Sequence, residues 1–216
     1  MNEKPESELL ITNGRIVTWG SPNEIIENGG LLVQDGRIAA IGDSQTLLDQ
    51  HPGVQMVDAR GQLVMPGNIC AHTHFYGAFA RGMGIPGPPM KDFPDILQRL
   101  WWRLDRALLD VDVEYSALVS LVDAIKQGTT TLIDHHASPN AINNSLDQVA
   151  DAVQRAGVRV ATCYEVTDRN GRTGTQAGID ENIRYLYSLR ERDSDLLAGT
   201  FGLHASLSVS DETLAD

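Results

Sequence analysis

Between residues 8 and 65, apolar and polar positions alternate in short runs broken by turn residues, a two-residue period that predicts β-strands. Leu9–Thr12 and Arg15–Trp19 flank Asn13-Gly14, and Gly30–Gln34 and Arg37–Gly42 flank Asp35-Gly36. Both dipeptides predict tight hairpin turns. With a linker or short helix over Ser44–Gln50 and an extended stretch over Val54–Val64, the pattern predicts a small antiparallel β-sandwich without chemistry of its own. From Pro66 the rhythm becomes strand, then helix. Strands are expected to end at His74, His136, Val166 and His204. A Gly/Pro-rich loop runs over Gly82–Pro89, and Asp92 and Pro94 open a helix with apolar residues at 93, 96, 97, 100, 101, 104 and 108. Asp112 caps a second helix that Gly128 stops. Ser138-Pro139-Asn140 starts a third that ends at Gly157, and a polar loop over Thr167–Gly178 precedes a fourth over 179–193.

Strands alternating with helices imply a parallel sheet. Four such strands follow Pro66, whereas a (β/α)₈ barrel uses eight over about 250 residues. The expectation is an α/β chain forming the N-terminal half of a longer protein, with residues 1–65 as part of a β-sandwich and 66–216 as the first half of a barrel. Expressed alone, such a half would be inactive and prone to aggregate through an unpaired strand edge.

Ionisable residues gather where these strands end. Five of the six histidines (His72, His74, His135, His136 and His204) fall there, together with Glu165; only His51 does not. His72 and His74, spaced i, i+2 on a strand, point to one face and can offer two neutral nitrogens to one divalent metal. The same spacing also fits a pair of partly exposed strand histidines. Of His135 and His136, alternation lets only one face inward. Trp101 and Trp102 read as packing residues first and pocket walls second.

Composition narrows the partners. A formal net charge of −12 disfavours a nucleic-acid backbone or an anionic membrane. Cys70 and Cys163 lie in apolar runs without a disulfide framework, which suits a reducing cytoplasm. The start, Met1-Asn2-Glu3-Lys4-Pro5-Glu6, is polar and lacks a signal-like apolar region.

Met65-Pro66-Gly67 leading to His72-Thr73-His74-Phe75-Tyr76 resembles the approach to the first barrel strand of the amidohydrolase superfamily. So do Leu100-Trp101-Trp102-Arg103-Leu104-Asp105-Arg106, Ile133-Asp134-His135-His136-Ala137-Ser138-Pro139 and Thr167-Asp168-Arg169-Asn170. Within it the chain is similar to the branch of guanine deaminase, cytosine deaminase-like enzymes and triazine chlorohydrolases, including aminohydrolases associated with bacterial purine catabolism. The resemblance implies a metal-dependent aminohydrolase using one divalent metal, Zn²⁺ or alternatively Fe²⁺, to hydrolyse a C–N bond of a small purine-, pyrimidine- or triazine-like heterocycle. It implies a homo-oligomer at full length. His72 and His74 would be ligands, with a further His, an Asp and a proton-shuttling Glu beyond Asp216. His204, His136 and Glu165 would contact substrate, with Arg169 a weaker candidate. Geometry alone would instead make His204 a third ligand. Lys4, Lys91 and Lys126 all lie off the fourth strand, which leaves no lysine there to bridge two metals. The competing expectation is a binding or scaffold protein that kept the fold and lost the metal.

Overall fold

The computed structural model describes residues 8–216. The polar start Met1–Ser7, with Lys4, lies outside the described residues. The chain divides into two compact units, Met1–Pro66 and Gly67–Asp216.

In the first unit β1 (Glu8–Val17), β2 (Ile25–Gln34) and β3 (Arg37–Asp43) pair antiparallel, while β4 (Gln55–Asp58) and β5 (Leu63–Val64) pair parallel to β1. The described residues thus form one mixed sheet, and the expected all-antiparallel pairing is corrected. Asp35 and Gly36 do turn the β2–β3 hairpin, both at positive φ (49° and 76°) as a primed turn requires. Asn13-Gly14 does not turn the chain. It is a bulge inside the continuous β1, with Asn13 at φ 53°, at the point where β1 changes its parallel partner from β4 to β5. Asn13 is held there by hydrogen bonds to the Ser44 hydroxyl (2.8 Å) and Asp58 (3.0 Å), and Gly14 passes so close to Val64 that a Cβ would stand 2.8 Å from its methyl. Helix α1 (Ser44–Gln50), capped by Asp43, buries Leu47 against Leu10 and Leu32.

The second unit carries a parallel sheet of β6 (Asn68–Thr73), β7 (Thr129–His136), β8 (Arg159–Val166), β9 (Leu197–Gly199) and β10 (Gly202–Leu203). The expected fourth strand is split: β9 and β10 pair in turn with β8, interrupted at Thr200 and Phe201. Helices α4 (Asp110–Lys126), α5 (Ser145–Ala156) and α6 (Gly171–Ser188) lie between the strands in sequence, and α7 (Asp211–Ala215) follows β10. Val113, Ala117 and Leu121 of α4 and Val149 and Val153 of α5 bury Leu132 and Val160, forming the main core. Two boundaries differ from expectation. Helix α5 starts at Ser145, because Ala137–Asn144 is folded into turns in which the Ser138 hydroxyl donates to the Ala141 carbonyl. Helix α6 starts at Gly171, since the polar run after Thr167 is a one-turn 3₁₀ segment, Asp168–Asn170, passing directly into the helix. Alternating helices and parallel strands of this kind constitute part of a (β/α) barrel. Among the described residues no helix is long and apolar enough to cross a membrane.

Candidate active site

The approach to β6 needs glycine. A Cβ on Gly67 would sit 2.3 Å from the Thr130 side chain of β7, so the strands could not close together. Strand β6 then delivers His72 and His74. His74 precedes a 3₁₀ turn, Phe75–Ala80, whose first N–H, from Phe75, donates to Asp134 across 2.7 Å. The other Asp134 oxygen accepts from the Thr162 hydroxyl (3.1 Å). Burial outweighs both bonds and pushes the Asp134 carboxyl up to about 7.

The His74 ring is fixed by its neighbour strand. Its Nδ1 lies 2.8 Å from the His135 carbonyl, which can only accept, so Nδ1 carries the proton and Nε2 bears the lone pair. That Nε2 faces Nε2 of His72 at 3.2 Å. Burial, opposed by the His135 carbonyl, lowers the pKa of His74 and keeps it neutral. Two nitrogens each about 2.0–2.1 Å from one tetrahedral zinc stand about 3.3–3.4 Å apart. The spacing and the tied Nδ1, a usual outer partner of a ligating histidine, therefore fit one metal ion. Among the described residues no group of three or more His, Cys, Asp or Glu converges on a metal position.

Alternation on β7 separates its two histidines. His135 turns to the same cavity as His72 and His74. His136 is wholly buried and does not line that cavity, which corrects its expected place beside the substrate. The Ser138 hydroxyl already gives its proton to Ala141, so His136 donates to it through Nε2 (2.9 Å), and Nδ1 is left without a partner. Burial depresses the His136 pKa to about 3. His135 moves the other way. Burial alone would lower it, but Cys163 and Glu165 carry it up to about 10, with Glu165 Oε2 3.6 Å from its Nδ1. Burial likewise works to raise Glu165, and His135, His204 and Arg169 overcome it to leave the carboxylate ionised.

His204 follows β10 and lines the cavity with Glu165. Its Nδ1 is hydrogen-bonded to the Ser208 hydroxyl, and its N–H donates to the Val166 carbonyl (3.0 Å), so both ring and backbone are held. Burial lowers its pKa. Strand β10 comes this close only because residue 202 is glycine: a Cβ there would stand 2.5 Å from the Tyr164 carbonyl oxygen and 3.1 Å from His135 Nε2.

The remaining walls are apolar. Phe93, Leu97, Trp101 and Trp102 line the cavity, about 560 Å³ in volume, from the segment α2 (Phe93–Ile96), a π-helical turn (Leu97–Trp101) and α3 (Trp102–Ala107). The wider π turn sets consecutive tryptophans on the cavity wall, a common use of π-bulges at functional sites. Both indoles therefore line the cavity, and Trp101 also packs against the buried Tyr76, Leu104 and Leu108. No sequence signal marks that extra residue in the turn. The Asp105–Arg169 pair, which joins α3 to the end of β8, was likewise not readable from the sequence, because its members lie 64 residues apart.

Comparison with known proteins agrees with this architecture. The pattern of the amidohydrolase family matches residues 63–216, and that of a bacterial imidazolonepropionase-like composite domain matches 29–53. A 5-methylthioadenosine/S-adenosylhomocysteine deaminase of Thermococcus sibiricus is 28% identical over 206 residues, covering 95% of this chain and 45% of the relative. An atrazine chlorohydrolase of Arthrobacter aurescens TC1, solved with zinc, superposes with a TM-score of 0.72 at 19% identity, over 95% of this chain and 48% of the other. A guanine deaminase of C. acetobutylicum with bound guanine gives 0.74 at 18%, over 96% and 48%. The chain spans about half the length of the relatives it matches. The match of more than two-thirds of its residues, on a sheet that carries paired histidines at the end of its first strand, makes this chain a member of the amidohydrolase family.

Proposed function

We propose that the protein is a metal-dependent aminohydrolase that removes an amino group, or a comparable leaving group, from a small planar nitrogen heterocycle. The observation that carries this reading is the facing of His72 and His74 Nε2 at 3.2 Å in an aromatic-walled cavity. His72 and His74 would hold one divalent metal, zinc being the ion in the chlorohydrolase structure, and a bound metal would lower the pKa of a water to about 7. The Asp134–Phe75 bond and the His135 carbonyl keep His74 aimed. Trp101 and Trp102 offer faces for a flat ring and exclude water from it. His204, neutral and clamped by Ser208, presents Nε2 to a ring nitrogen or exocyclic group. Glu165 and protonated His135 supply an acceptor and a donor to the polar edge of the ring. The zinc in the chlorohydrolase structure and the guanine in the deaminase structure support the metal and the substrate class.

The test is metal analysis and turnover on the full-length protein, using guanine, cytosine and amino-triazines as substrates. One zinc per subunit with hydrolysis, and loss of both in His72→Ala and His74→Ala, is the expected result. Undiminished metal in both variants sinks the site, and metal binding without turnover on any heterocycle moves the protein to the binding-protein reading.

A further inference from the structure

Arg169 sits in the polar turn after β8, where a solvated cation would be unremarkable. Its side chain is instead only 6% exposed. Both terminal nitrogens reach the Asp105 carboxylate, with Nη1 3.4 Å from Oδ1 and Nη2 bonded to Oδ2. Nη2 also lies 3.7 Å from Glu165 Oε1, and the guanidinium carbon stands 5.3 Å from the centre of the Trp102 ring. Asp105, itself 1% exposed, is three residues beyond Trp102 on α3, so the two share a helix face. Arg106 reinforces the joint by donating to the Asn170 side chain (3.1 Å) and the Arg169 carbonyl (3.4 Å).

Burying an Arg–Asp pair is costly, and a packed apolar pair would tie helix to strand as firmly. An apolar pair could not, however, offer one planar cation to a carboxylate and an indole face together. Arg169 Nε remains buried without a partner, so the group is not arranged to satisfy itself fully. We infer that Asp105 and Arg169 are positioning residues: Asp105 orients the guanidinium, which holds Glu165 and Trp102 in fixed relation as the polar and stacking walls of the cavity. The inference rests on the proposed reading of that cavity as a substrate site. It also withholds Arg169 from substrate. No lysine or arginine lines the cavity among the described residues, so the polar part of this wall is made by Glu165 and His135, an acceptor and a donor for the edge of a flat ring.

The test compares Asp105→Asn, Arg169→Lys and the exposed control Arg172→Gln in the full-length protein. The near-ultraviolet circular dichroism of Trp102, assigned by difference with Trp102→Phe, reads indole placement without any ligand. Zinc content and thermal melting are measured on the same samples. Asp105→Asn and Arg169→Lys should melt cooperatively and keep zinc, yet lose most of the Trp102 band, while Arg172→Gln keeps it. Apparent affinity for 2-aminopurine should fall about ten- to a hundredfold, as for other small misplacements of site groups. A wild-type band in Arg169→Lys overturns the inference, because a bare charge would then suffice. Loss of cooperative melting in both variants also overturns it, since the pair would be holding the fold. If the wild-type protein turns over no heterocycle, the functional reading falls while the circular dichroism still decides the lock.

Discussion

His74 donates its Nδ1–H to the backbone carbonyl of His135 across 2.8 Å, so the second strand of the parallel sheet fixes the tautomer of a ring carried by the first. Side-chain substitution cannot remove that acceptor. The adjoining contact can be removed, because Asp134 holds the Phe75 N–H that follows His74. Asp134→Ala is expected to weaken zinc binding about 10–100-fold, the usual cost of losing an outer-shell partner. Asp134→Asn keeps an acceptor for Phe75 and should lose much less. Competition with a chromophoric chelator measures both, and equal affinities in the two variants would refute the role.

His204→Ala separates substrate contact from metal ligation. Loss of one positioned polar contact to the reacting ring is expected to lower turnover on the order of 10²-fold, the scale seen for a single hydrogen-bonding group in a site. The expected variant retains full zinc with turnover reduced on that scale. If zinc is lost instead, His204 is a ligand.

The buried His136 predicts an acid limb of stability. Its folded pKa lies near 3 against an ordinary 6.5, so the unfolded chain takes up a proton that the folded one refuses. The contribution is fully present above about 6.5 and is lost as pH falls towards about 3, at about 1.4 kcal/mol per unit. Asp134, raised to about 7, gains stability as pH falls through much of the same window. The His136 contribution is therefore read as the difference in urea midpoint between the wild type and His136→Phe, which should move against the wild type as pH falls below about 6.5. Parallel pH profiles would contradict the assignment.

Gly202→Ala would drive a methyl against the Tyr164 carbonyl and the Cys163 sulfur. Backbone and sulfur cannot step aside as a surface side chain could, so a loss of about 1–3 kcal/mol or more is expected. His204 would shift with β10, and turnover should fall even at temperatures where the variant stays folded. Unchanged denaturant midpoint and turnover would show that the strand accommodates a methyl.

Much of this molecule is legible from residue pattern. The His72–His74 pair, the Asp35-Gly36 hairpin and the order of helices and parallel strands all follow from local periodicity and turn chemistry. Asn13-Gly14 misleads because a bulge and a hairpin turn call for the same backbone freedom, and only the partner strands β4 and β5 decide between them. His136 misleads for a related reason. Thr129–Ile133 is apolar or neutral at every position, so nothing local sets the phase of β7, which is fixed by the burial of Leu132 and Asp134 beneath the helices. The Asp105–Arg169 pair depends on a meeting of distant segments that no spacing rule encodes.

The opposed facing of His135 and His136 has a consequence for how this strand can change. Neighbours in the chain, they occupy two media: one ring carries charge beside Glu165, and the other is dry and neutral beside Ser138. Inserting or deleting one residue upstream in β7 would exchange them, bringing a histidine that must stay neutral into the cavity and sending a cation into the core. Point substitutions along β7 can be absorbed one side chain at a time. A single-codon insertion or deletion there would disable site and core together, so length rather than composition is the property this strand can least vary.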